Sequence, residues 1–324
     1  MVKVSIIHNR SEALDEACSM LANGELVALP TETVYGLAGD STNGEAVARI
    51  FETKGRPRFN PLICHMSGID MAQRHVVFND LARKLAETFW PGPLTLVVSK
   101  RQDSLVHPLA SAGLETLAVR TPTGFANELI DRFGKPLAAP SANRSGKVSP
   151  TWADHVEADL GDSVGLILDA GPATVGVEST IVKVDGDEIS LLRPGGLEAE
   201  SIESVAGVRL IRPAWGEAAI EAPGMLRSHY APKARLRMNA TSIEPGEVLI
   251  AFGGVAVGGL EHAARVFNLS PNADLVEAAA NLFDTIHQAD CIGAGMIAVA
   301  PIPEQGLGEA INDRLRRASA PRNT

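Results

Sequence analysis

Hydroxyl, amide and cationic side chains collect in short loops next to apolar segments of this sequence. The loop PSANRSGKVSPT, residues 140–151, combines Ser and Thr hydroxyls with an Asn and two cations, and it follows the apolar segment KPLAA. Charged and polar donors gathered in one loop can bind an anion through short, strong hydrogen bonds. A loop of this composition can equally be ordinary solvent-exposed surface, so by itself it leaves both interpretations open.

The segment LPTETVYGLAGD, residues 29–40, places four polar side chains directly after an apolar strand. Thr31, Glu32, Thr33 and Tyr35 follow that strand at once, and two glycines then permit tight turns. Polar groups just beyond a strand end lie where open α/β sheets bind their ligands. The alternative is a solvated β-turn without a ligand.

The segment KGRPRFNPL, residues 54–62, carries three cations at alternating positions. Lys54, Arg56 and Arg58 would project to one side of an extended segment that two prolines stiffen. Ammonium and guanidinium groups arranged in this way suit a diphosphate or a triphosphate. A solvated basic loop is the alternative.

Four further apolar strands contain polar groups or lie beside them. His65 lies within PLICHM, where a buried core histidine is the usual explanation. Arg120 ends the strand in LAVRTP and needs a partner, which is either a ligand or an internal salt bridge. Glu178 and Ser179 precede one strand in GVESTIVKV, and Arg193 ends another in LLRPGG. Taken together, the polar strand ends predict a shared concave site for an anionic ligand at one edge of a sheet.

The standard nucleotide-binding motifs are absent from the sequence. It contains no G-x-x-x-x-G-K-[ST] loop and no G-x-G-x-x-G fingerprint. No cluster of His, Cys and Asp has the spacing of metal ligands, so no protein metal site is predicted. Without an evident nucleophile and base, we expect catalysis by positioning and electrostatics, as in phosphoryl or nucleotidyl transfer.

Alternating strands and helices must position these groups. Helices are predicted at residues 11–23, 43–55, 79–88, 124–132 and 151–158, and the second of them has Asn43 as its cap and Gly55 at its end. Short apolar strands lie between them, in PLICHM, LTLVVS, TLAVRT, GLILDA, STIVKV and ISLLRP. Several strands follow one another without a helix between them. The pattern therefore predicts an α/β fold with a mixed, twisted sheet.

The composition and periodicity of the sequence change after about residue 206. Residues 207–233 are rich in Pro and Gly with little periodicity, which indicates either an interdomain tether or a lid over a site. Strand and helix patterns then alternate again to the end of the chain. We therefore predict a first domain at 1–206, a linker at 207–233, and a smaller, Rossmann-like α/β domain at 234–324.

Composition and charge narrow the class of protein. The net charge is −10 with a pI near 5.3, which disfavours stable tRNA or duplex binding because phosphate neutralisation requires a basic surface. Three widely separated cysteines fit neither a disulfide framework nor a thiolate metal site. The sequence also shows no signal peptide and no apolar stretch of membrane-spanning length. A soluble cytoplasmic protein is expected.

The motifs together resemble the YrdC-type domain. In chain order they are LPTETVYGLAGD, KGRPRFNPL, FWPGPLTLV, LAVRTP, APSANRSGKVSPT, GVESTIV and LLRPGG. The later segments APGMLRSHYAPKA and GLGEAINDRLRRAS resemble the linker and C-terminal domain of the family's two-domain form, the L-threonylcarbamoyladenylate synthases. The resemblance covers essentially the whole chain and is most specific in its first part.

The resemblance implies an enzyme that joins L-threonine, bicarbonate (or CO₂) and ATP into threonylcarbamoyl-AMP and releases pyrophosphate. The product would serve the N6-threonylcarbamoyladenosine modification of tRNA, with a separate threonylcarbamoyl transferase complex as the downstream partner. Mg²⁺ would accompany ATP as cofactor. An acidic protein could then serve tRNA modification without binding tRNA stably.

The resemblance also implies roles for individual residues. The implied threonine contacts are Thr33, His65, Arg120, Ser141 and Ser179, with Thr31 and Tyr35 shaping the pocket. The implied ATP contacts are Lys54, Arg56, Asn60, Thr116, Asn143, Ser149, Arg193, His229 and Tyr230. Lys54 and Arg56 would be catalytic, because they and Lys147 could stabilise charge growing on pyrophosphate. Gly224 would let the linker swing over the site, which remains an alternative to a plain tether.

Three other functions stay open on the sequence alone. The first is an RNA-binding module that uses the concave basic surface, although the net charge and the few aromatic residues oppose it. The second is a related enzyme that acts on carbamoyl phosphate, although such proteins are usually much longer and carry added cysteine motifs. The third is a regulatory ATP-binding protein whose C-terminal domain is the output.

Overall fold

The structure is a computed structural model that describes residues 3–6, 10–213, 221–225, 228–254 and 256–321. Two sheets organise these residues, and they are joined by the predicted linker. Residues 214–220 and 226–227 of that linker lie outside the described residues. The predicted domain boundaries near 206 and 233 stay predictions.

A large mixed sheet forms the first part of the chain. Its ten strands are β1 (Lys3–Ile6), β2 (Val27–Leu29), β3 (Gly36–Asp40), β4 (Ile63–His65), β5 (Leu94–Ser99), β6 (Thr116–Arg120), β7 (Leu137–Ala138), β8 (Leu166–Asp169), β9 (Thr180–Asp185) and β10 (Glu188–Arg193). They lie in the order β1-β8-β2-β3-β7-β4-β6-β5-β9-β10. β4 runs parallel to β6, whereas β5 and β6 are antiparallel, so the prediction of a mixed sheet is confirmed.

Nine helices occur in the described residues. They are α1 (Arg10–Ala22), α2 (Gly44–Lys54), α3 (Ile69–Ala72), α4 (Asp80–Phe89), α5 (Phe125–Phe133), α6 (Ala153–Leu160), α7 (Ala199–Ala206), α8 (Leu275–Cys291) and α9 (Leu307–Ser319). The predicted limits of α2 are confirmed, because the Asn43 side chain accepts hydrogen bonds from two backbone N–H groups and Gly55 ends the helix at φ 59°.

Sequence reasoning did not identify β3, whose sequence GLAGD suggests a turn. All five residues of β3 are buried. A Cβ on Gly39 would lie 3.0 Å from the side chain of Leu26, so a larger residue would force the neighbouring side chains to shift. Close packing overrides the low strand propensity of glycine here.

The second sheet has four parallel strands, in the order β11-β14-β12-β13. Those strands are β11 (Arg235–Arg237), β12 (Val248–Ala251), β13 (Arg265–Asn268) and β14 (Met296–Val299). A core cluster contains Phe283 of α8 together with Val34, Val148 and Val177 from loops of the first part. The two parts of the chain therefore share apolar packing beside those loops.

The described residues contain no helix long and apolar enough to cross a membrane.

Candidate active site

A narrow cavity lies over one face of the large sheet, where the linker covers it. The predicted site residues that line it are Thr33, Arg56, His65, Arg120, Ser141, Ser179, Arg193, His229 and Tyr230. Ile63 and His65, two positions apart on β4, both line it, and side chains two apart on a strand share a face. The cavity thus lies over a face of the sheet beside the strand ends that the sequence singled out, since His65, Arg120 and Arg193 are the last residues of β4, β6 and β10.

At one end of the cavity, Arg120 forms a buried ion pair. Its Nη2 lies 2.6 Å from Oε1 of Glu32, and its Nη1 donates to the hydroxyl of Thr33 at 2.9 Å. The side chains of Arg120 and Glu32 are only 4% and 9% exposed. The internal salt bridge that the sequence left open is therefore present. A ligand carboxylate at this end would share Arg120 with Glu32.

The turn after β2 orients Thr33 toward Arg120. The hydroxyl of Thr31 accepts the backbone N–H groups of Thr33 and Val34, each at 3.2 Å, which is the turn chemistry that Ser and Thr favour. Tyr35 does not line the cavity, because its hydroxyl donates to the carbonyl of Gly171 at 2.7 Å. The expectation that Tyr35 shapes the pocket is therefore wrong for this structure.

His65 faces Arg120 across the β4–β6 pair and is almost fully buried. Burial, followed by the nearby Arg120 charge, lowers the pKa of His65 to about 3. The imidazole is thus neutral at physiological pH. A neutral ring does not add to the positive charge at this end of the cavity.

At the other end, Arg56 is buried, and within the described residues its hydrogen bonds go to oxygen atoms of amides. It donates through Nη2 to Oδ1 of Asn60 at 2.7 Å and to the carbonyl of Pro61 at 2.7 Å. Burial, followed by the positive charge of Arg193, lowers the pKa of Arg56 to about 9. Asn60 is fully buried behind Arg56 and does not itself line the cavity.

Lys54, the last residue of α2, is buried beneath the 140–151 loop. Its Nζ donates to the carbonyls of Ser141 and Asn143, both at 2.5 Å. Burial, followed by the charge of Arg56, lowers the pKa of Lys54 well below its usual value. Arg58 is exposed, so the predicted row of three cations on one side is wrong. The chain turns after Gly55 instead of continuing as an extended segment.

The 140–151 loop uses its own polar groups to hold its shape. The Asn143 amide donates to the carbonyls of Arg144 and Lys147 at 2.8 and 2.9 Å. Lys147 pairs with Asp159 at 2.5 Å and is half-exposed, so its predicted place beside the phosphates is not observed. Neither Asn143 nor Ser149 lines the cavity.

Arg193 and Ser179 both line the cavity and are hydrogen-bonded to each other. Arg193 Nη2 donates to the carbonyl and hydroxyl oxygens of Ser179 at 2.9 and 3.2 Å. The Ser179 hydroxyl also lies 2.8 Å from that of Thr95. Arg193 Nη1 reaches the carbonyl of Pro223 at 3.4 Å, which ties the linker to the wall.

The described part of the linker covers the cavity. Tyr230 is buried, and its backbone has a φ of 61°, an uncommon value for a residue other than glycine. The rings of His229 and Tyr230 meet edge to face, with centroids 4.1 Å apart. Burial lowers the pKa of His229 to about 3, although the charge of Glu178 opposes the shift. The remaining cavity volume is about 40 Å³, which holds a few waters and no nucleotide.

Thr116 lies outside the cavity, at the other end of β6 from Arg120. It stands on the same face of β6 as Ala118 and Arg120, because side chains alternate along a strand. Its predicted contact with ATP stays a prediction.

Sequence reasoning missed Arg314, an arginine of α9 whose side chain is fully buried. Its Nε lies 2.8 Å from Oε2 of Glu178, a cavity-lining carboxylate. A signal was present, because Ile311, Arg314, Leu315 and Ala318 have the spacing of one helix face. A charged residue within that apolar stripe indicates a buried partner.

The chain is similar to known proteins over nearly its whole length. A family model described as "Telomere recombination", for the Sua5, YciO and YrdC proteins, matches residues 19–195. A second family model, "Threonylcarbamoyl-AMP synthase, C-terminal domain", matches residues 197–320.

Relatives and solved structures extend this similarity to full-length proteins. The threonylcarbamoyl-AMP synthase of Pyrococcus abyssi is 40% identical, and the alignment covers 98% of each chain. That of Bacillus subtilis is also 40% identical, over 95% of this chain and 93% of the relative. The crystal structure of P. abyssi Sua5 complexed with L-threonine matches with a TM-score of 0.89 at 37% identity, covering 98% of this chain and 97% of that one.

Proposed function

The chain belongs to the Sua5/YciO/YrdC family, in the two-domain form of the threonylcarbamoyl-AMP synthases, and we propose that its cavity holds L-threonine beside ATP. The enzyme makes L-threonylcarbamoyladenylate from L-threonine, bicarbonate or CO₂, and ATP. It releases pyrophosphate and serves the N6-threonylcarbamoyladenosine modification of tRNA next to the anticodon. A separate transferase complex passes the group to tRNA.

The reaction needs positioning more than a strong base. The neutral threonine amine takes up CO₂ with release of a proton to solvent, or bicarbonate with loss of water, and becomes a carbamate. A carbamate oxygen then attacks the α-phosphorus of ATP, the bond from that phosphorus to the bridging oxygen breaks, and pyrophosphate leaves with the electron pair. A carbamate is a weak nucleophile, so holding it in line with the α-phosphorus supplies much of the rate.

Three buried cations without a carboxylate partner carry this proposal. Lys54, Arg56 and Arg193 are buried, and among the described residues their hydrogen bonds go to amide, carbonyl and hydroxyl oxygens. Burying positive charge that is only partly neutralised is costly, and part of that cost is recovered when an anion binds. The polyphosphate of ATP is the anion that this cluster fits.

The opposite end of the cavity suits an amino acid. Arg120 and Thr33 offer a guanidinium and a hydroxyl for a carboxylate, and Ser141 and Ser179 are within the same lining. The neutral ring of His65 leaves the threonine amine free of an added positive neighbour. In this proposal the amine of the bound amino acid faces the cation cluster, where the α-phosphate would lie.

We propose that Mg²⁺ arrives with ATP and not at a site held by the protein. Glu32 and Glu178, the carboxylates at the site, are ion-paired with Arg120 and Arg314 and so offer poor metal ligands. In the described part of the chain, no group of three His, Cys, Asp or Glu residues is placed to hold a metal ion. Bound Mg²⁺ would supply charge neutralisation on the polyphosphate.

The linker acts as a lid in this proposal. Ala222 is fully buried against Ile63, Ala118 and Ile181 on the sheet face. The present cavity is too small for ATP, so the nucleotide has to displace this segment before the linker closes again. Closure would exclude water from a hydrolysable intermediate. Rossmann-like character of the second domain and a cytoplasmic location are part of the same proposal.

The test is pyrophosphate release from Mg·ATP with and without L-threonine and bicarbonate. Release should require both, and Arg56→Ala should reduce it by about 10²-fold or more, because a buried charged donor to the phosphates is lost. Arg58→Ala is the matched control, since Arg58 is exposed two positions away. ATP cleavage that is indifferent to threonine would refute the proposal.

A further inference from the structure

Arg314 is a buried arginine of the second domain that the threonine and phosphate contacts do not use. Besides Glu178, it donates through Nη1 to the carbonyl of Pro194 at 2.7 Å and to the carboxylate of Asp313 at 2.9 Å. Its guanidinium carbon lies 5.3 Å from the ring centroid of Tyr230. One side chain thus touches a wall of the cavity and the lid over it.

Glu178 links Arg314 to the predicted nucleotide site. One of its oxygens faces Arg314, and the other accepts the hydroxyl of Ser149 at 2.5 Å. Burial by itself would raise the pKa of Glu178, but the charges of Arg314 and then Arg193 lower it to about 2. The carboxylate is therefore charged at neutral pH, at the edge of a site that has to receive phosphates.

The second domain also holds the closed linker. The Tyr230 ring packs against Phe283 of α8, with centroids 5.5 Å apart, as well as against Arg314. The backbone N–H of His229 donates to the carbonyl of Arg317 at 3.2 Å. Helices α8 and α9 therefore provide the platform on which His229 and Tyr230, two of the cavity-lining residues of the lid, lie.

We propose that Arg314 is a positioning residue for ATP. Arg314 neutralises Glu178 and holds the Tyr230 ring in place, and this contact acts as a latch by which the second domain keeps the lid closed over the nucleotide. The inference deepens the proposed function and rests on it for the identity of the nucleotide. Arg314 does not line the cavity and is not assigned a contact with substrate. Its effect passes through Glu178 and Tyr230.

Binding of ATP and of threonine distinguishes a positioning role of Arg314 from a purely structural ion pair. Loss of Arg314 leaves Glu178 as a poorly compensated buried charge that repels phosphates, so ATP binding should suffer while threonine binding persists. The repulsion disappears when Glu178 takes up a proton. ATP affinity of an Arg314→Met variant should therefore improve as the pH falls, whereas the wild-type carboxylate, held charged by its partner, contributes no such change near neutrality.

The experiment titrates the full chain with Mg·ATP and, separately, with L-threonine, at pH 6 and pH 8. Arg314→Met should raise the Kd for ATP by about 30-fold or more at pH 8, as expected when one partner of a buried charge pair is truncated. The Kd for threonine should change less than about twofold, within the spread of a remote substitution. Adding Glu178→Gln to Arg314→Met should reduce the pH dependence of the ATP affinity to that of the wild-type protein.

Arg316→Met is the matched control, because Arg316 lies on the same helix with a half-exposed side chain paired to exposed Glu304. It should bind both ligands as the wild type does. Arg314→Met with wild-type ATP affinity, or with equal losses for ATP and threonine at both pH values, would overturn the proposal. If that variant does not fold, Arg314→Lys decides. A lysine keeps the positive charge but cannot meet Glu178, the Pro194 carbonyl and the Tyr230 ring together, so wild-type ATP affinity in Arg314→Lys refutes the latch.

Because the titrations measure binding directly, their outcome does not depend on whether the protein catalyses the proposed reaction. A wild-type protein that binds ATP but releases no threonine-dependent pyrophosphate would refute the proposed function alone. The same titrations would still report whether Arg314 controls nucleotide affinity.

Discussion

Substituting Gly224 by Ala tests whether the closed linker belongs to the ATP-bound state. Gly224 has a φ of +82°, a region that residues with a Cβ rarely adopt. A Cβ at this position would lie 2.8 Å from Cδ of Arg193 and 3.0 Å from the hydroxyl of Tyr230. Arg193 cannot move away freely, because its guanidinium is bonded to Ser179.

The size of the effect follows from two costs. Left-handed backbone costs about 1–2 kcal/mol for a residue with a Cβ. Overpacking by one methyl group against atoms that cannot relax costs about 1–3 kcal/mol. Together they oppose the closed linker by about 2–5 kcal/mol, which corresponds to roughly 30-fold or more in the population of the closed state.

The assay is the KM for ATP in pyrophosphate release, with the Kd for L-threonine as an internal reference. We expect Gly224→Ala to raise the KM for ATP by roughly 30-fold or more and to leave threonine binding nearly unchanged. Gly207→Ala is the control, since Gly207 has a φ of +77° and no atom within 4 Å of an added Cβ. That control carries the backbone strain without the clash, and its KM should stay at the wild-type value.

An unchanged KM for ATP in Gly224→Ala, in a variant that is folded by circular dichroism, would refute the reasoning. It would mean that ATP binds and reacts with the linker away from the cavity. Equal effects in both variants would instead attribute the change to general backbone strain.

Three further predictions follow from the charges of the site. ATP binding at pH 8 should take up protons, because the phosphates raise the depressed pKa of Lys54. Calorimetric titration in buffers of different ionisation enthalpy measures the number of protons taken up. Lys54→Met should reduce that number, and Arg58→Met should leave it unchanged. Stability should fall as the pH drops from about 6.5 toward 3, because the unfolded state protonates His65 more readily than the folded state does. His65→Gln should make the melting temperature less sensitive to pH in that window, and an equally steep dependence would count against it. Arg120→Lys should raise the Kd for threonine by roughly tenfold or more, because an ammonium cannot reproduce the two guanidinium Nη contacts to Glu32 and Thr33. Unchanged threonine affinity would exclude the predicted carboxylate contact.

Local sequence patterns were enough to place most elements and to group the site residues by type. The cap Asn43 and the terminal Gly55 set the limits of α2 through backbone hydrogen bonds that span a few residues. Polar residues beside apolar strands indicated Arg56, Arg120 and Arg193, all of which line the cavity. Each of these signals is contained within a short stretch of chain, so no tertiary contact is needed to recognise it.

The tertiary structure alone determined which residues distant in sequence form ion pairs. Arg120 pairs with Glu32 across 88 positions, and Arg314 pairs with Glu178 across 136. The direction of each side chain, such as Arg58 toward solvent and Arg56 into the cavity, depends on how the chain turns after α2.

The sequence by itself thus determined the chemical character of the site, because the hydroxyls and cations are fixed by residue type and lie beside recognisable strands. It did not determine which charges find counter-ions. In the described part of the chain, Lys54, Arg56 and Arg193 are buried and form no hydrogen bond to a carboxylate, whereas Arg314 is hydrogen-bonded to two. That distinction decides where an anion binds, and it arises only when the folded chain brings remote charges together in a region of low dielectric constant.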